Sequence, residues 1–159
     1  MKKYEFTGEV KTYLGKTLHK IKAVVSFGIV VKGEIGGWIE SEKNLSQDGN
    51  AWVYSDAWVY SDARVYGNAR VSGNAEVSGN ARVYGNAHFM VIGAIGSRFD
   101  FTTFFRNKEN GISVKCGCFY GTIAEFRAKV TETHGTDTKF AKVYQAAADL
   151  AEIQIELEK

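Results

Sequence analysis

Small and aliphatic residues alternate with polar or aromatic ones in a six-residue rhythm from Asn50 to Val91: NAWVYS, DAWVYS, DARVYG, NARVSG, NAEVSG, NARVYG, NAHFMV. The second position of each hexad is Ala, and the fourth is Val except for Phe89 in the last. Residues two apart on an extended chain share a face, so Ala and Val point into a core and the third and fifth positions point outward. The sixth position and the first of the next hexad form Ser-Asp or Gly-Asn, pairs that tolerate the backbone angles of a corner. Each hexad is predicted as one short strand plus one corner. A corner every six residues coils the chain and lays each strand on an earlier one about 4.8 Å away.

These inward positions resemble the hexapeptide-repeat, left-handed parallel β-helix family. The resemblance implies a triangular prism with three hexads per coil, whose hand departs from the usual crossover rule. Residues 50–91 then make about two to three coils in an eighteen-residue register. Trp52, Arg70 and His88 fall in one outward column, Trp58 and Glu76 in a second, and Arg64 and Arg82 in a third. So short a solenoid needs caps and neighbours. Outward Trp52, Tyr54, Trp58, Tyr60, Arg64, Tyr66, Arg70, Arg82 and Tyr84 have the Trp, Tyr and Arg composition of an interface. Because the family commonly forms parallel threefold trimers, the expected partner is a second and third copy of the chain.

The flanking segments read as caps. Residues 1–49 carry β-rich runs, YEFTGEV and KTLHKIKAVVSF, then glycine turns before Trp38 and Ile39. Ile21, Ala23, Phe27, Lys32, Gly33, Gly36, Gly37, Trp38, Asn44, Leu45 and Ser46, followed by the first hexad, look like the opening of a group of phage-encoded and bacterial hexapeptide-repeat proteins. Trp38 and Leu45 are expected to close the prism. Residues 92–159 read as a β-β-α-α module. Two β-rich runs flank Asn107–Gly111, whose Asn-Gly end favours a tight hairpin. Thr122 and Glu125 form a capping box for a helix with Ile123, Phe126 and Val130 on its apolar stripe, and a second helix is expected from about Asp137. Residues 152–158 are legible as helix or strand. The words Ile-Gly-Ser-Arg at 95–98, Cys-Gly-Cys-Phe at 116–119 and His-Gly at 134–135 resemble a C-terminal module of phage proteins. The fold class is mainly β: a short left-handed parallel β-helix with an N-terminal β cap and a C-terminal α+β module.

At 159 residues, 45% hydrophobic and 24% charged, the chain has the composition of a soluble globular protein. A net charge of +2 gives no argument for nucleic acid or an anionic membrane. No apolar run reaches the roughly 20 residues of a membrane span, and MKKYEFTGEV lacks the apolar stretch of a secretion signal. A cytoplasmic location is expected, in a host cell if the chain is phage-encoded. Cys116 and Cys118 read as reduced thiols on one face of a strand, and two thiols are only half a zinc site. No metal or cofactor is expected.

Acyltransferases on this repeat work at subunit interfaces with a histidine near an extruded loop. The seven hexads contain no extruded loop, and only His88 projects from them. The chain is therefore read as a non-enzymatic binding protein, with a virion or assembly part and an acyltransferase-like enzyme as alternatives. The phage resemblance implies a host protein or a nucleotide-like ligand as target and a counter-defence role. Ser97 and Arg98 in the Gly96 turn, with Thr102, Thr103, Arg106 and Lys115 on nearby strands, are the candidate anion pocket.

Overall fold

The computed structural model describes residues 1–158. Three antiparallel strands open the chain: β1 (Tyr4–Tyr13), β2 (Lys16–Ala23) and β3 (Ile35–Ile39). Six two-residue strands follow at six-residue intervals: β4 (Trp52–Val53), β5 (Trp58–Val59), β6 (Arg64–Val65), β7 (Arg70–Val71), β8 (Glu76–Val77) and β9 (Arg82–Val83). They pair in parallel three strands apart, Trp52 beside Arg70, Trp58 beside Glu76 and Arg64 beside Arg82, which is the eighteen-residue register. The repeat Val residues and the Ala residues from Ala51 to Ala81 are all buried. At four successive corners the sixth hexad position is left-handed, with φ of 60° at Ser61, 64° at Gly67, 66° at Gly73 and 60° at Gly79. Glycine adopts that conformation without the Cβ penalty.

An irregular coil precedes the hexads. Trp38 pairs with Trp58, Ile39 with Val59 and Leu45 with Val65, each twenty residues apart rather than eighteen. The two extra residues fall between Leu45 and Val53, where the inward spacing lengthens from six to eight. Asn44 holds this coil from within: fully buried, it donates to the carbonyls of Ser61 and Ala63 and accepts from the N–H groups of Glu40 and Ser41. Leu45 closes the core as expected. Trp38 does not; it packs outside, on Leu18 and Tyr60, with the Lys11 and Lys20 ammonium groups 4.0 and 4.9 Å from its ring centroid.

The seventh hexad makes no seventh rung. Residues 86–88 form a 3-10 turn and Phe89 begins β10 (Phe89–Ile95), an antiparallel strand. NAHFMV ends in Met-Val instead of a corner pair, so the chain runs straight on. Three more strands, β11 (Asp100–Arg106), β12 (Ile112–Cys116) and β13 (Phe119–Thr122), complete a four-stranded sheet. Alternate residues of this sheet enter different cores. Phe89, Val91 and Phe105 pack on the end of the solenoid, whereas Met90, Ile92, Phe104 and Val114 pack on the helices.

Thr122 caps α1 (Ile123–His134) through the expected box with Glu125, and Gly135 ends it at a φ of 77°. Thr138 caps α2 (Lys139–Gln154), whose buried stripe is Ala141, Tyr144, Ala147, Ala148 and Ala151. The ambiguous tail resolves as helix to Gln154 and then extended chain. Ile155 is buried and the Glu156 N–H donates to Ala87 O.

Candidate functional site

The chain's own N-terminus covers much of the aromatic surface read as outward. Trp52 is fully buried, edge-on to Tyr4 and Phe27 with centroids 6.4 and 5.4 Å away. Tyr60 is buried and donates to Glu76 Oε2 at 3.2 Å. Trp58 is half-buried between the ring of Tyr13, 4.7 Å away, and the Lys11 ammonium, 4.4 Å away. The outward placement of Trp52 and Tyr60 is thus corrected: outward from the coils is inward to the molecule wherever the N-terminal segment lies over them. Arg64 and Arg70 are exposed, and Tyr54, Tyr66, Arg82 and Tyr84 are half-buried. Tyr66 stacks on Tyr84 at 5.0 Å, and Arg82 Nη1 donates to Asp62 O at 2.9 Å.

His88 is buried rather than solvated, and its Nδ1 accepts the Tyr84 N–H at 3.2 Å. Burial and then the Arg106 charge push its pKa below the ordinary histidine value.

The six residues read as one anion pocket are dispersed. On β11 the pleat sends Thr102 toward the helices, where its Oγ1 donates to Cys116 Sγ at 3.2 Å, and Thr103 toward the solenoid, where it accepts the Glu76 N–H at 3.0 Å. Arg106 is buried at the far end of the strand, donating to Arg82 O and pairing with Glu158. Lys115 is buried and donates to Gly117 O. Only Ser97 and Arg98 stay at the place expected of them. The cysteines also separate. Cys116 ends β12 half-buried, while Cys118 is exposed beyond the Gly117 turn, whose φ is 57°. Burial pushes the Cys116 thiol up.

Ser97 and Arg98 stand on the rim of a cleft of about 300 Å³ between the sheet and the two helices. Its floor is apolar and aromatic: Ile95, Phe119, Phe126, Val130 and Tyr144. Its rim adds Lys129, Thr133 and His134 from α1, Cys116 and Cys118 from the β12–β13 turn, and one carboxylate, Asp100. A Cβ at Gly96 would collide with the Tyr144 hydroxyl, so glycine there lets the Arg98 turn lie directly on the floor. Arg98 makes no ion pair among the described residues, and Lys129 only a 3.6 Å contact with Glu132 one helical turn on. The cleft therefore offers one cation without an ion pair, Arg98, beside aromatic surface. Phe126 and Val130 of the floor were legible as the apolar stripe of α1 but read as core, and Lys129 carried no signal beyond its place beside Val130.

Among the described residues no group of three or more His, Cys, Asp or Glu side chains is placed to hold a metal ion. No described helix is long and apolar enough to cross a membrane.

Comparison with known proteins bears on the repeat. A family model described as the YdcK beta solenoid repeat matches residues 63–77 and 75–88. An Escherichia coli K12 protein named "Uncharacterized acetyltransferase YdcK" is 41% identical over 51 residues, which are 32% of this chain and 15% of that protein. The chain is similar to a small part of that relative, and the likeness supports a β-solenoid repeat.

Proposed function

We propose that this chain is a non-enzymatic binding protein in which a short β-solenoid holds a small-ligand cleft. The ligand class is an anion with a flat apolar body, the chemistry of a nucleotide. One observation supports this reading above the others: Arg98, which has no ion pair among the described residues, and Lys129 line the same cleft as Phe119, Phe126 and Tyr144. Guanidinium and ammonium groups recognise phosphate, and aromatic floors take flat rings. Titration with adenosine monophosphate tests the reading. Binding should fall at least about tenfold in Arg98→Ala while the melting temperature stays unchanged. Equal loss of binding and stability would overturn it.

The same proposal includes the coil as a left-handed prism, consistent with the hexad spacing and eighteen-residue register. It also includes self-association as a trimer through Tyr54, Arg64, Tyr66, Arg70, Arg82 and Tyr84. Sedimentation of the full chain reads the mass directly. The resemblance to phage-encoded repeat proteins supplies the setting: an accessory protein in the host cytoplasm that captures a host component, with counter-defence as its role.

The relative's name favours a second reading, an acyltransferase-like enzyme. Turnover of acetyl-coenzyme A with a panel of amine and hydroxyl acceptors, above the uncatalysed rate, would establish it in place of the first.

A further inference from the structure

A second cavity, of about 340 Å³, lies where all three parts of the chain meet: Tyr13 from β1, Trp58 and Glu76 from the coils, and Lys115 from the C-terminal sheet. It is distinct from the Arg98 cleft, although Asp100 and Gly117 line both.

Its charges are not balanced against each other. Lys115 is only 4% exposed, its Nζ donates to the Gly117 carbonyl, and it makes no ion pair among the described residues. An ammonium has three protons to place, and burying one without a counter-charge is unfavourable. Asp56 and Asp100 line the same cavity without an ion pair among the described residues. Glu76 is engaged by Tyr60 through Oε2, and one oxygen of Asp100 accepts the Phe101 N–H. A simple anion would satisfy Lys115 but face the carboxylates. A simple cation would satisfy the carboxylates and leave Lys115 as it is.

We infer that this cavity binds a small zwitterion, an α-amino acid, with its carboxylate on Lys115 and its ammonium between Asp56 and Asp100 beside the Trp58 and Tyr13 rings. Because the ligand touches all three parts of the chain, its binding also tightens their packing and raises the melting temperature.

Calorimetric titration of the full chain with each protein amino acid tests the assignment, alongside the amine and the carboxylic acid that each becomes when one charged group is removed. At least one amino acid should bind, with both of its one-charge analogues weaker by at least about tenfold. Lys115→Met should lose that binding. If Lys115→Met does not fold, Asp56→Asn, an exposed corner substitution, serves in its place and should weaken the amino acid at least about tenfold. Arg98→Ala should bind it normally, which separates this site from the cleft. An amine that binds as tightly as its parent amino acid, or no binding by any amino acid at millimolar concentration, would overturn the assignment.

Discussion

The Tyr4 ring meets Trp52 edge-on, at 66° with centroids 6.4 Å apart, while its hydroxyl donates to Leu45 O at 2.6 Å. The first strand of the chain thereby seals both the side and the open end of the solenoid. Trp52→Ala should cost about 3 to 5 kcal/mol in urea unfolding, and Trp58→Ala, half-covered, clearly less. The Trp52 loss should not vary with protein concentration, since the chain itself buries this ring; a concentration-dependent loss would place it at a subunit contact.

Stability should peak in mildly alkaline solution. Lys3 Nζ donates to the carbonyls of Ala51, Gly49 and Asp48, and burial, partly opposed by Asp48, lowers its pKa to about 8 from 10.5. Between those values the unfolded chain keeps a proton that the folded chain has shed, so stability rises with pH. Burial first, and then Glu42 or Glu76, raise Tyr4, Tyr13 and Tyr60, Tyr13 to about 12. Above the ordinary tyrosine value of 10.0 the unfolded chain loses protons that the folded chain retains, and stability falls. Lys3→Met should remove most of the rise, leaving the part that burial of Lys11 contributes, and leave the fall, as read from unfolding midpoints across the alkaline range.

Gly37 admits no side chain. A Cβ there would stand 2.5 Å from Ala57 O and press on Tyr54 O, both backbone atoms of the next coil. Gly37→Ala should destabilise by about 3 kcal/mol. Gly85, where an added Cβ would meet His88 at an ordinary 3.5 Å, is the control. Gly85→Ala should be neutral or stabilising by about 0.5 kcal/mol in the same thermal melts.

Arg106 ties the C-terminal sheet to the last coil. Its Nε donates to Arg82 O at 3.1 Å, its guanidinium lies 4.3 Å from the Tyr84 ring centroid, and Nη1 reaches Glu158 at 2.8 Å. Arg106→Met should cost about 2 kcal/mol and increase amide exchange in β9 and β11. Glu158→Gln, at the exposed end of the same set, should change exchange much less.

The first six hexads were legible because each repeats the same inward pair and corner, so strand, face and stacking register followed from spacing. Thr122 with Glu125 and the Asn107–Gly111 hairpin were legible for the same reason, since each is local. What escaped was non-local. Nothing in NAWVYS says that Tyr4, some fifty positions earlier, will cover Trp52. The candidate pocket failed on the pleat: Thr102 and Thr103 are adjacent in sequence and therefore on opposite faces of β11, with Lys115 facing the solenoid side as Thr103 does. The cleft residues on α1 were visible as an apolar stripe, but a stripe does not say which part of it a sheet leaves uncovered.

The eighteen-residue register makes the solenoid a length standard. Inserting one whole coil would return every corner to phase and lengthen the stack by about 4.8 Å, drawing Tyr13 and Lys115 apart across their shared cavity. Inserting one or two hexads would instead turn the C-terminal sheet onto a different side of the solenoid. Either change would leave Ala and Val as well buried as before and dismantle the cavity, so the number of hexads measures out the distance between the two ends.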